Sequence, residues 1–280
     1  MIGEANFLLI TWDSCRWDSV SLAKTPTLDA VVGLNLARTH GTFTYPAHMA
    51  MYQGILPHTE ARLPYYNRYV RQLVKIARPG VPPGGALIEF SAGTPDIIRG
   101  FSAAGYATLG WGAVGWFRHE LLQKPFDRFA FTGIHASRQV AEFIIRTSGL
   151  RRPFFSLINF GETHYPYLFS EERIDPPLLS PARRVLPKPG EFDEDGWLSQ
   201  VRSCEFLDAK LGKIVTHLGQ LDRPTIVAFT ADHGECFGEN GLVGHGFCHP
   251  KVMDVPLGLF EVNGSHLSSS AGLGAKVIPH

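Results

Sequence analysis

The chain has 280 residues, 44% hydrophobic and 19% charged, which suits one large domain or two small ones with an ordinary core. Lys+Arg and Asp+Glu both number 26, so the formal net charge is zero and no basic surface for nucleic acid or anionic membrane is expected. The four cysteines, Cys15, Cys204, Cys236 and Cys248, form no CxxC pair, against a zinc ribbon or a thioredoxin-type site.

Scattered cysteines fit a reducing compartment. NFLLITW, near the start, is too short for a secretory signal and lacks a charged leader. No run reaches the roughly 18–20 apolar residues of a membrane span. These features make a cytoplasmic protein without a membrane partner the expectation.

In chain order, residues 6–12 (NFLLITW) form a continuous apolar run ended by Asp13, the pattern of a buried parallel strand with a carboxylate at its C-terminal end. TPTLDAVVGL (25–34) and YPAHMAMYQGI (45–55) predict short helices. TPDIIRGFSAAG (94–105) has helical spacing and a Gly stop, and YATLGWG (106–112) reads as a strand. Residues 135–149 predict another helix. PFFSLINF (153–160) is a second buried strand, running into GETHYPY. A long amphipathic helix is expected over 198–219, a third strand over 224–230 with Asp232 after it, and a fourth over 255–260.

Strands alternating with helices imply an α/β fold with a doubly wound, mainly parallel sheet flanked by helices. A catalytic domain is expected over 1–262. Its stretch 165–196, rich in Pro, Glu, Asp and Arg, reads as a lid or surface excursion. Residues 263–280 are expected to be a weakly ordered tail.

Ligands of open α/β sheets gather at the C-terminal strand ends. Those ends carry Asp13, His164 and the pair Asp232–His233. Two carboxylates and an imidazole suit Zn²⁺ or Mn²⁺, and Thr44 could supply a hydroxyl as a fourth ligand. A hydroxyl at a metal loses its proton more easily and becomes a nucleophile near neutral pH. Plainer readings stand beside these. Asp13 could cap a helix, Thr44 could cap the helix starting near Pro46, and His48 could pack on an inner helix face. Cys236 and Cys248 read as small apolar residues.

The residues carry a resemblance. FLLITWDSCRWDS, TPTLDAV, FTYPAHMAMYQGILPH, INFGETHYPY, CEFLDAKLGKIV and FTADHGECFGENGLVGHG occur in one order from about 7 to 260. Together they resemble the alkaline phosphatase superfamily in its sulfatase-like branch. The resemblance implies that Asp13, Thr44, Asp232 and His233 bind one divalent metal, Zn²⁺ first and Mn²⁺ next, with Thr44 also the nucleophile. It implies that His164 and His245 hold the non-bridging oxygens of phosphate or sulfate. His48 stands where sulfatases keep an Arg beside the nucleophile, and His249, one helical turn past His245, joins the substrate-binding set. A second metal on Glu162, His164, His245 or His249 is not favoured.

The departures set the expected chemistry. Sulfatases need Cys or Ser at the Thr44 position for oxidation to formylglycine, and threonine cannot become an aldehyde. Ser14 stands where sulfatases carry a second Asp, against a calcium site. The expected activity is therefore a metal-dependent hydrolase or transferase acting on a phosphate ester, phosphodiester or phosphonate through Thr44. The alternatives are cleavage of sulfate esters without formylglycine and a catalytically silent metal- or anion-binding member. The branch usually carries a sizeable C-terminal subdomain, so a truncated one is expected here. The pocket is then open or completed by a partner chain, and a homo-oligomer is among the expectations.

Overall fold

A computed structural model describes residues 3–31, 33–54, 95–168, 170, 190–264 and 266–269. The strands are β1 (Asn6–Trp12), β2 (Asn35–Arg38), β3 (Ala107–Gly112), β4 (Arg128–Phe131), β5 (Phe154–Phe160), β6 (Thr225–Ala231), β9 (Asp254–Asn263) and β10 (His266–Ser269). They make one eight-stranded sheet in the order β10-β9-β6-β1-β5-β3-β4, with β2 also paired to β9. A separate two-stranded ribbon joins β7 (Cys236–Phe237) to β8 (Val243–Gly244).

β6, β1, β5, β3 and β4 run parallel, whereas β9 is antiparallel to β6 and takes β2 and β10 antiparallel on itself. Parallel strands are covered on both faces, which is why β1 and β5 read as mainly apolar runs, broken only by small polar residues such as Thr11, Ser156 and Asn159.

Alternation along β1 divides the core. Leu8, Ile10 and Trp12 pack on one side with α6 (Ala136–Thr147) and α7 (Glu194–Leu218) through Val140, Phe143, Leu207 and Leu211. Phe7 and Leu9 face the other side, toward α3 (Thr44–Gln53) and α4 (Ile97–Ala103) through Met49, Tyr52 and Ile98. The two short helices after β1 are α1 (Trp17–Leu22) and α2 (Pro26–Val31). Asp208 of α7 fixes the second: its carboxylate accepts from the Thr27 and Leu28 N–H groups, both at 2.9 Å, satisfying orphan donors of that helix start. The remaining helices are α5 (Glu120–Gln123) and α8 (Pro250–Met253).

Two expected boundaries change. α7 begins at Glu194, inside the expected excursion, because Asp193 caps it by accepting from Gly196 N–H at 2.9 Å. The expected tail is partly sheet, since His266–Ser269 pairs with Phe260–Asn263. Residues 171–189 of the expected lid, His58 and residues 270–280 lie outside the described residues. Among the described residues, no helix is long and apolar enough to cross a membrane.

Candidate active site

The ends of β1, β5 and β6, with the start of α3, converge. Asp13 follows β1, and its N–H still bonds Phe160 O of β5 at 2.8 Å. Ser14 then turns the chain with a left-handed φ of 62°, and its N–H donates to Asp232 Oδ1 at 3.1 Å. The His233 N–H donates to the same oxygen at 2.9 Å. Gln200 of α7 pins the turns from below, donating to Ser14 O at 2.8 Å and Thr163 O at 2.9 Å.

Thr44 is the first residue of α3, and its helix is capped by backbone geometry at Phe43 with no side-chain bond. Gly41 permits this approach: a Cβ there would stand 2.4 Å from Ala47 N. The Thr44 hydroxyl donates to the Asp13 carboxylate, at 3.3 Å from Oδ2 and 3.5 Å from Oδ1. Gly246 N–H donates to Thr42 O at 2.8 Å, which ties the loop carrying His245 to the loop leading into Thr44.

The four expected metal ligands are therefore together. Asp13, Asp232 and His233 each offer an atom within 4.8 Å of the others, and all are fully buried along with Thr44. His233 Nδ1–H donates to Gly234 O at 2.9 Å, so Nε2 carries the lone pair. That Nε2 sits 3.6 Å from Asp232 Oδ2 and 3.9 Å from Asp13 Oδ1. Neither His233 Nε2 nor Asp232 Oδ2 has a hydrogen-bond partner among the described residues. Buried polar atoms are rarely orphaned, and these two point at the same spot. Two carboxylates, one imidazole and one hydroxyl fit Zn²⁺ or Mn²⁺.

Electrostatics agrees. Burial and the neighbouring Asp232 carboxylate raise the Asp13 pKa, and burial pushes Asp232 up to about 6 against the hydrogen bonds it accepts. A carboxyl whose folded pKa exceeds its unfolded value keeps a proton that the unfolded chain has released. The metal-free protein therefore loses this contribution to stability as pH rises from the ordinary 3.8 to about 6. A cation competes with those protons. The gain in melting temperature on adding Zn²⁺ to EDTA-treated protein is expected to grow from about pH 5 to about pH 7. A gain independent of pH would mean the cation binds elsewhere.

His164 and His245 stand at the mouth and keep part of their surface open. Their rings lie 5.5 Å apart, and that of His245 lies 4.4 Å from that of His233. His164 Nδ1–H donates to Tyr165 O at 2.7 Å, leaving Nε2 available. Burial lowers the His164 pKa, but the Asp13 and Glu235 carboxylates outweigh it and the net direction is upward. Burial drives His245 down to about 3. The two rings are thus shifted in opposite directions.

Two expectations about site residues change. His48, expected to bind substrate, is fully buried and occupied: Nδ1 bonds Thr44 O at 2.9 Å and Nε2 lies 3.2 Å from Thr11 Oγ1. His249 is not one helical turn past His245, because 243–249 is strand, bend and extended chain. Its ring caps α8 through Lys251 N–H at 3.2 Å, and contacts Cys236 Sγ and Asn240 Nδ2, each at 3.1 Å. Glu162 meets the start of α6, accepting from Ala136 N–H at 2.6 Å and from Gly161 N–H at 3.1 Å.

Sequence reasoning missed Asn159, Thr11, Ser14 and Gln200 as supports. Asn159 and Thr11 did carry a signal, as polar residues inside apolar strand runs. Arg16 forms an ion pair with Asp18 at 2.5 Å. It is 2% exposed and also reaches Glu239 Oε1 at 2.6 Å and Glu235 O at 3.4 Å.

The mixed, mostly parallel α/β sheet carries a buried Asp-Thr-Asp-His cluster at its strand ends, and its fold matches that of alkaline phosphatase-like proteins. The chain belongs to the sulfatase family, whose model matches residues 5–257. It is 31% identical over 117 residues to human iduronate 2-sulfatase, a match taking in 41% of this chain and 21% of that protein. In structure it is similar to the C-terminal periplasmic domain of a phosphoethanolamine transferase from Campylobacter jejuni, with TM-score 0.61, 13% identity and coverage of 92% of this chain and 80% of that one. It is similar also to a 2-O GAG sulfatase, with TM-score 0.60, 16% identity and coverage of 91% and 64%. A zinc complex of an Escherichia coli periplasmic domain matches with TM-score 0.56, 12% identity and coverage of 94% and 74%. At these identities the structural likeness is one of fold.

Proposed function

We propose that this sulfatase-family chain is a metal-dependent hydrolase or transferase of a phosphate ester, phosphodiester or phosphonate, with Thr44 as nucleophile. The observation that carries this reading is the Thr44 hydroxyl, buried and bonded to Asp13 beside the orphaned atoms of Asp232 and His233. Asp13, Thr44, Asp232 and His233 would hold one divalent cation, which lowers the pKa of the hydroxyl and screens charge on the phosphoryl oxygens.

Thr44 Oγ1 attacks phosphorus in line with the leaving alcohol, giving a phosphothreonine from a monoester, or a threonyl ester that keeps the remaining substituent on phosphorus from a diester or phosphonate. Water or an acceptor alcohol then attacks that phosphorus, and the two inversions sum to retention. His164 and His245 flank the non-bridging oxygens, where fixed donors stabilise developing charge. Sulfate-ester cleavage is the second reading, favoured by the iduronate 2-sulfatase match. Thr44 disfavours it in its usual form, because the Cβ methyl prevents oxidation to an aldehyde.

A comparison of nitrophenyl esters tests the reading. Protein stripped with EDTA and reloaded with Zn²⁺ or Mn²⁺ is expected to turn over a phosphate, a phosphodiester or a phenylphosphonate faster than the sulfate. Turnover of the sulfate alone would refute it.

A further inference from the structure

A chain of buried side chains runs beneath the site, and its hydrogen bonds have one consistent direction. Asn159 Oδ1 accepts from Ala113 N–H at 3.4 Å, which turns the amide nitrogen toward Asp13 Oδ2 at 3.2 Å and Thr11 Oγ1 at 3.0 Å. The flipped amide would set N–H against N–H at one end and oxygen against carboxylate at the other. The Thr44 carbonyl can only accept, so the neutral His48 ring donates from Nδ1 and its Nε2 accepts the Thr11 hydroxyl proton at 3.2 Å. An imidazole that accepts at Nε2 in its neutral form carries its proton on Nδ1. That proton meets the Thr44 carbonyl at 2.9 Å. The reversed tautomer would place a lone pair against that carbonyl oxygen.

Both ends of the chain reach the nucleophile. The Asn159 amide holds the carboxylate to which the Thr44 hydroxyl donates, and His48 holds the Thr44 carbonyl. α3 has no side-chain cap, and His48 adds a side-chain bond to the carbonyl of its first residue. All three residues are fully buried. A neutral ring adds this tether without placing a cation against the Asp13 and Asp232 carboxylates.

We infer that Asn159, Thr11 and His48 are positioning residues, a directional hydrogen-bond chain that sets the Thr44 hydroxyl against the Asp13 carboxylate. The inference rests on the proposed role of Thr44 as nucleophile.

Two readouts test it on the zinc-loaded protein. Long-range proton–nitrogen NMR is expected to show His48 as the Nδ1–H tautomer, and Thr11→Val is expected to shift its Nε2 resonance. Thr11→Val is also expected to lower kcat by about 10- to 100-fold with KM and zinc content unchanged. Thr11→Ser, which keeps the hydroxyl, restores most of the rate. His48→Asn, with an amide donor near the Nδ1 position, retains more activity than His48→Leu and serves if the Thr11 variants do not fold. An Nε2–H tautomer, or equal rates for Thr11→Val and the parent, overturns the inference. If the parent turns over no ester at all, the proposed function fails, and the tautomer with its response to Thr11→Val still decides whether the chain exists.

Discussion

Thr44→Ala is expected to lower kcat/KM for the preferred phosphorus ester by at least about 10³-fold while leaving the protein folded and able to bind zinc. The contrast between activity and stability is what gives this variant its force. Thr44 begins α3, but its hydroxyl bonds Asp13 and not the helix backbone, so its loss removes no cap. The melting temperature is expected to move by no more than an ordinary buried hydrogen bond allows, about 1 kcal/mol. Thr44→Ser keeps an oxygen at the same place and is expected to retain measurable turnover. A Thr44→Ala protein with parental rates would place the nucleophile elsewhere, whereas one that unfolds would return Thr44 to a structural role.

Arg16→Met is expected to carry the largest cost in stability, about 3 kcal/mol, read as a lowered urea midpoint with an unchanged slope. Arg16 is 2% exposed and bonds Asp18 at 2.7 and 2.5 Å through two nitrogens and Glu239 at 2.6 Å. Its guanidinium also stands 5.2 Å from the centre of the Phe237 ring and 5.9 Å from that of Trp197. Methionine keeps much of the apolar stem but leaves two carboxylates facing the vacated charge. Both keep some solvent, at 33% and 19% exposure, which holds the cost toward the lower end of the range for a broken buried pair. Lys251 remains on Asp18 at 2.6 Å, so Asp18→Asn is expected to cost less than Arg16→Met. Because Arg16 joins the turn after β1 to the segment 235–239, its loss is expected to weaken zinc binding too. A stability within about 0.5 kcal/mol of the parent would show that the network is solvated in solution.

The framework was readable in the sequence where burial is symmetrical. β1, β5 and β6 stand at the centre of the sheet, where two covered faces demand continuous apolar runs. The polar residue ending each run is conspicuous for that reason, and Asp13, Asp232 and His233 could be picked out before any coordinates. Thr44 was readable through the motif resemblance.

Short strands away from the centre of the sheet were not readable. β2 and β4 have four residues each, and β10 lies in a Gly/Ser-rich stretch whose pairing depends on β9 being beside it. The functions of individual histidines were the hardest to see, because a ring's role depends on what meets each nitrogen. His48 and His249 both carry motif-like spacing, yet Thr11 and Thr44 occupy the first and Asn240, Cys236 and Lys251 the second. Those contacts join residues far apart in the chain or across an irregular turn, and no periodicity encodes them.

Trapping the covalent intermediate addresses the central claim most directly. Zinc-loaded protein is mixed with the best phosphorus ester, quenched in acid during steady turnover, digested and mapped by mass spectrometry. One phosphorus-bearing group, a phosphoryl from a monoester or one carrying the remaining substituent of a diester or phosphonate, is expected on Thr44 and absent from unreacted protein. Rapid turnover with no such group on Thr44, together with inversion at phosphorus, would mean that water attacks directly and would contradict the claim.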